Sequence, residues 1–236
     1  MSAFGSYIKY LGNNVDRDIE KIVHDHLPKG SNKHYLDCGC DDGTKTILRG
    51  TVIGTKHVMG LESEPSRAEL SKKNGVTVKL ANLNEKWPIK TGTIDCITAT
   101  EVVEHLIDED NFFSESYRVL AKKGRIIIST DNLAAYHNIF ALLIGNQPYT
   151  GPYLSKKYPI GHRPHAKYYQ GGMNETMYPH LNVMTSRALE QLLKAYGFGS
   201  ITMLGAGFYP HPPTIARVLA KLDKRHASHC IAIAEK

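Results

Sequence analysis

Asp37, Gly39 and Gly43 lie in KHYLDCGCDDG (33–43), where a short apolar run ends on an acid and then turns through two glycines. A strand that breaks into a glycine turn and opens a helix lets backbone N–H groups come close to a ligand. The next apolar run, VMGLES, ends on Glu62. An acid at the tip of that strand can accept hydrogen bonds from a ribose, as in doubly wound nucleotide sites. ANLN then brings Asn82, and TATEVVEHL brings Thr100, Glu101 and His105. Together these stretches predict a nucleoside-cofactor site. A second group, His137, His162, His165, Tyr168 and His180, falls in the later half and is the candidate acceptor side. Histidine suits the removal of a hydroxyl proton near neutral pH, which makes His105 and the later histidines candidate bases.

The elements that must hold these residues follow from periodicity. Residues 1–30 carry a one-faced apolar pattern and predict a lead-in helix stopped by Pro28-Lys29-Gly30. Strands are expected near 34–38, at KHVMGLES, at VTVKL (76–80), at IDCITAT (94–100) and at RIIIST (125–130). Helices are expected from Thr44, from Pro65, and over Phe112 to Leu120 with Gly124 past the end. Strands alternating with helices argue for an α/β, doubly wound and mostly parallel sheet, with its ligand crevice at the carboxyl ends of the strands. LAAYHNIFALLIG (133–145) reads as an ordinary core helix, the alternative being an apolar face that touches a membrane. The stretch 146–185 is rich in Pro, Gly, Tyr and His without clear periodicity and is expected to be an inserted lid or acceptor-binding segment. SRALEQLLKAYGF, SITMLGAG, HPPTIARVLAKLDKR and HCIAIAEK then predict helix, strand, helix and strand.

The chain has 236 residues with 42% hydrophobic content, enough for one sizeable core, and a single domain over 1–236 is expected. The formal charge of +6 comes from 29 basic and 23 acidic residues spread as pairs, not as the basic tract of a nucleic-acid binder. Cys38, Cys40, Cys96 and Cys230 all sit in apolar runs, so buried free thiols are expected and a metal site is not. No run of about eighteen apolar residues occurs and the N-terminus lacks a signal-peptide core, which makes a cytoplasmic setting the expectation. Nothing in the sequence marks an oligomeric state.

YLDCGCDDG, the acid-tipped strand, ANLNEKWPIKTGTIDCITATEVVEHL and YRVLAKKGRIIISTDN together resemble the class I S-adenosylmethionine-dependent methyltransferases, in particular the small-molecule branch with the EHL box. The resemblance implies a Rossmann-like seven-stranded sheet whose last strand is antiparallel, with S-adenosyl-L-methionine as cofactor. It implies cofactor contacts by Asp37, Gly39, Cys40 and Gly43 in the turn, by Glu62 and Ser63 at the ribose, by Asn82 and Leu83 at the adenine, and by Thr100 and Glu101. His105 would face the reaction centre. Methyl transfer would go to a small-molecule, sugar or glycan/lipid-linked acceptor, most readily at oxygen. Two residues depart from the pattern: Asp41 replaces the usual middle glycine and Asn82 the usual adenine-side acid. They motivate a rival reading, a cofactor-binding sensor or scaffold without turnover. A nicotinamide-dependent dehydrogenase would explain the glycine turn and the acid but not EVVEHL.

Overall fold

A computed structural model describes residues 3–155, 160–161 and 179–236. Strands β1 (His34–Cys38), β2 (His57–Glu62), β3 (Thr77–Leu80), β4 (Ile94–Thr100), β5 (Leu120–Asp131), β6 (Gly199–Ala206) and β7 (His229–Glu235) form one sheet. The helices are α1 (Ala3–His26), α2 (Thr44–Ile53), α3 (Pro65–Lys73), α4 (Glu109–Val119), α5 (Tyr136–Leu143), α6 (Ser186–Ala195) and α7 (Pro213–Leu222), with a 3₁₀ turn at Val103–His105. The strand order is β3-β2-β1-β4-β5-β7-β6. β7 runs antiparallel to both its neighbours, and the pairs from β3 to β5 are all parallel. The order reverses between β1 and β4, the place where an open parallel sheet leaves a crevice.

Side chains alternate across the sheet and divide the core in two. Tyr35, Cys96 and Ile127 face α1 and α2, where Val15, Ile19, Val23 and Ile53 cover them. Leu36, Cys38, Ile97, Ile126 and Ile128 face the other way, onto Phe112, Phe113, Leu189 and Leu193. Trp87, also fully buried, meets Phe112 edge-on at 5.5 Å between ring centroids, and its indole N–H donates to the Leu83 carbonyl at 3.3 Å. This contact pins the loop after β3 beneath the crevice. α1 ends at His26, just before its stop signal, and α3 opens on Pro65 with Glu64 as its cap.

Two expectations change. Gly124 lies past the end of α4 but does not cap it, being inside β5: Leu120 takes an extended conformation directly after α4 and pairs with Ile94, so pairing stops the helix before glycine is reached. The apolar segment at 133–145 is not a core helix. α5 buries Asn138 and Ala141, while Phe140, Leu142 and Leu143 are exposed. The polar bonds of Asn138 to the Asn132 carbonyl and the Thr150 hydroxyl, at 3.0 and 2.8 Å, set which face turns inward. Of the expected lid, His162, His165 and Tyr168 lie outside the described residues.

Candidate active site

The turn after β1 is held from below by a buried polar network. Asp37 accepts from the hydroxyls of Thr46 and Thr98, each at 2.6 Å, and from the Arg49 guanidinium at 3.1 Å. Arg49 is only 1% exposed and also donates to Glu20 on α1 at 2.6 Å and to Thr100 at 2.9 Å. A buried charge persists only when paired and hydrogen-bonded, and here the partners are drawn from α1, β1, α2 and β4 together. Asp37 and Thr100 therefore serve the turn from inside the protein. Arg49 and Glu20 went unnoticed in the sequence because their partners lie far along the chain.

Gly39 and Gly43 bracket the turn, both with left-handed φ, 70° and 82°. A Cβ on Gly39 would lie 2.8 Å from the Val102 side chain, and one on Gly43 would lie 2.5 Å from the Ser71 hydroxyl. The protein's own packing thus demands both glycines. Gly39 is exposed on the crevice side. The Cys40 thiol turns inward, buried against the Ser71 hydroxyl at 3.5 Å, and the Cys40 N–H donates to the Leu61 carbonyl. Its expected cofactor contact therefore does not extend to the side chain, which packs between β2 and α3.

Asp41, the departure from glycine, keeps the left-handed conformation at φ 49°. Its carboxylate leaves the crevice for a two-pronged pairing with Arg67 on α3, one prong at 2.6 Å. Its N–H donates to Glu62 at 2.9 Å. Glu62 also accepts from the N–H groups of Ser63 and Glu64, at 2.8 and 2.9 Å. A carboxylate has about four acceptor positions. Three are taken by backbone N–H groups, which leaves one for a ligand donor.

The other side of the rim carries Asn82, exposed, whose side-chain oxygen accepts from the Asn84 N–H at 3.0 Å and whose amide donates to Glu85. Leu83 packs its side chain into the core and gives its carbonyl to Trp87 and Asn111, so its contribution is to shape the loop. Parallel register sets Asp37 opposite Gly60 and Thr98, and Glu62 opposite Leu80. The residues after β1, β2, β3 and β4 consequently share one rim. This donor and acceptor set, with the exposed Gly39 between, fits a nucleoside cofactor laid along the crevice.

Beyond Thr100 the rim becomes acidic and imidazole-rich. Glu101 adopts φ 55°, accepts from the Ser129 hydroxyl at 2.8 Å and lies 3.5 Å from His229. Asp131 sits 3.4 Å from His229 and 3.1 Å from His180. Glu104 accepts from the Thr130 hydroxyl at 2.8 Å. Neither glutamate side chain caps the following turn; both point to the end of β5. His105 and His180 meet edge-on at 4.8 Å between ring centroids. His137 stands slightly apart, between the rings of Tyr149 and Tyr209.

Burial first, and then the neighbouring Glu101 charge, push the Glu104 carboxyl well above its usual range. Burial would raise Asp131 as well, but His229 and His180 outweigh it and hold it low. Burial pushes His137 down to about 4, which leaves it neutral at physiological pH. Asp131 and His229 were not foreseen. They end β5 and begin β7, and only the antiparallel pairing of those strands puts the start of β7 on this rim.

Comparison with known proteins gives the same picture. The sequence profile described as "Methyltransferase domain" matches residues 11–202. A ubiquinone biosynthesis O-methyltransferase of Pelagibacter ubique is 28% identical over 160 residues, covering 65% of this chain and 62% of that protein. A probable S-adenosylmethionine-dependent methyltransferase of Mycolicibacterium smegmatis is 31% identical over 118 residues, 48% of this chain and 44% of its own. The chain thus spans roughly half the length of these curated relatives. Among solved structures, a Thermotoga maritima protein described as an S-adenosylmethionine-dependent methyltransferase, possible histamine N-methyltransferase, superposes with a TM-score of 0.63 at 17% identity, covering 99% of this chain and 98% of that one.

Proposed function

Because this chain belongs to the methyltransferase domain family, we propose that it moves a methyl group from S-adenosyl-L-methionine to an oxygen of a small-molecule, sugar or lipid-linked acceptor. The carrying observation is the shared rim: Gly39 and the Asp41 N–H region, Glu62, Asn82 and Thr100-Glu101 follow four neighbouring strands on either side of the point where strand order reverses. When bound there, the sulfonium cofactor supplies an already activated methyl group. The chain's own task is to hold ribose on Glu62, adenine against the Asn82 loop, and the acceptor in line beyond Thr100 with water kept out.

Oxygen is favoured as the acceptor atom by the carboxylates and imidazoles beyond Thr100, which suit a hydroxyl that must lose a proton. The O-methyltransferase name of the Pelagibacter relative agrees. The exposed apolar residues of α5, beside this acidic rim, support an acceptor with an apolar tail or one reached at a membrane surface. No helix of the described residues is long and apolar enough to cross a membrane. In this reading 1–236 acts as one domain.

Calorimetry with S-adenosylmethionine and S-adenosylhomocysteine tests the cofactor side. Glu62→Ala is expected to weaken both at least tenfold, and unchanged affinity would remove Glu62 from the ribose site. Labelled methyl transfer into a cell extract separates turnover from the sensor reading. That rival rests on Asp41, whose carboxylate is occupied by Arg67 outside the crevice.

A further inference from the structure

Three donors on the acceptor side of the rim converge: a Glu104 carboxylate oxygen and one ring nitrogen each of His105 and His180 all lie within 4.8 Å of one another. Glu104 is fully buried, and its Oε2 accepts from Thr130 while its Oε1 has no hydrogen-bond partner among the described residues. A buried carboxylate oxygen without a partner is costly and calls for a cation or a proton.

Each of the two imidazoles has its Nδ1 against an acceptor. His180 Nδ1 lies 2.7 Å from the Thr150 carbonyl and 3.1 Å from Asp131, and His105 Nδ1 lies 3.2 Å from the Pro179 carbonyl. Carbonyls and carboxylates only accept, so in the neutral ring Nδ1 carries the proton and Nε2 keeps its lone pair. Metal-binding histidines are oriented this way, the second nitrogen donating to a carbonyl or carboxylate. The backbone fixes the spacing. Leu181 and Asn182 donate their N–H groups to the Glu104 carbonyl at 2.7 and 3.1 Å, tying the His180 segment to the 3₁₀ turn that carries Glu104 and His105.

We propose that Glu104, His105 and His180 bind a first-row divalent cation, of the Mn²⁺, Co²⁺ or Fe²⁺ kind, which receives the acceptor hydroxyl. Two imidazoles and one carboxylate select this class over Mg²⁺ or Ca²⁺, which prefer all-oxygen shells, and three protein ligands leave positions open for the acceptor. Asp131 acts behind His180 as a positioning residue. In the neighbouring set, His229 Nε2 lies 3.5 Å from Glu101 and 3.4 Å from Asp131, and Glu101 also accepts from the Ser129 hydroxyl.

The proposal rests on the methyl-transfer reading and refines its acceptor half. A cation held there would lower the pKa of the acceptor hydroxyl bound to it, whose proton would pass to solvent. The oxygen lone pair then forms the O–CH₃ bond as the methyl's bond to the sulfonium sulfur breaks, and that electron pair stays on sulfur. No side chain need serve as the base, which changes the expected role of His105 from proton acceptor to ligand.

The test is a Mn²⁺ titration of the chelator-stripped full chain followed by electron paramagnetic resonance, with S-adenosylhomocysteine calorimetry on the same samples. Wild type is expected to take up one Mn²⁺ per chain. Glu104→Gln, His105→Ala and His180→Ala are each expected to bind it at least tenfold more weakly while still binding S-adenosylhomocysteine. His180 is only partly buried, so its variant probes the centre with the core intact. No saturable uptake by wild type, or equal affinity in wild type and all three variants, overturns the proposal. If wild type binds S-adenosylhomocysteine but no Mn²⁺, a proton satisfies Glu104 and the methyl-transfer reading stands without the cation. Failure to bind S-adenosylhomocysteine would instead strike at that reading itself.

Discussion

Replacing Arg49 by Met should be among the most damaging single changes in this chain that leave the cofactor rim's own side chains untouched. Arg49 is 1% exposed and pairs with Asp37 at 3.1 Å and with Glu20 at 2.6 Å. Removing one partner of a buried ion pair typically costs ~3–5 kcal/mol, because the other charge stays behind. Asp37 would keep its two hydroxyl donors, Thr46 and Thr98, and Glu20 is open enough to rehydrate, which places the expected loss near the lower end, ~3 kcal/mol. For a chain of this size that is a fall of roughly 6–12 °C in Tm. Urea unfolding measures it, with the midpoint falling and the slope unchanged.

The companion variant sharpens the test. In Asp37→Asn alone, one side-chain amide must face the Arg49 and hydroxyl donors; when Asp37→Asn is combined with Arg49→Met, the guanidinium is gone. The two costs should fall short of additivity by ~1–3 kcal/mol. The acid limb gives a further check. Burial would raise the Glu20 carboxyl, but Arg49 and Lys45 outweigh it and hold it below its ordinary 4.5. A depressed acid contributes stability that is complete above that value and lost as pH falls through the folded-state pKa. Arg49→Met should therefore flatten the fall of stability below about pH 4.5. A cost under about 1 kcal/mol, or strict additivity, would refute the account of the network.

Asp41→Gly should change S-adenosylhomocysteine affinity less than about threefold, since the carboxylate is engaged with Arg67 and the exposed pair contributes only ~0–1 kcal/mol to stability. A tenfold change in calorimetry would mean that the side chain reaches the cofactor. Gly43→Ala should cost ~2–4 kcal/mol in urea unfolding, combining the left-handed φ with a Cβ only 2.5 Å from the Ser71 hydroxyl, where a loss below about 1 kcal/mol would show that α3 can give way.

The alternation of apolar runs with one-faced helices fixed the α/β architecture, because burial on both faces of a parallel sheet demands it locally. The residues after β1 to β4 could be read for the same reason: each follows its own strand end, so sequence position alone places it on the rim. The remainder depended on contacts between distant segments. Whether Asp41 enters the crevice was decided by Arg67, 26 residues away. α5 turned its apolar face outward because Asn138 found buried partners. The reversed direction of β7 brought His229 to Asp131, and the backbone of 181–182 fastened His180 beside Glu104 and His105. Local pattern records which residues are buried and in what element; only packing chooses which buried charges meet.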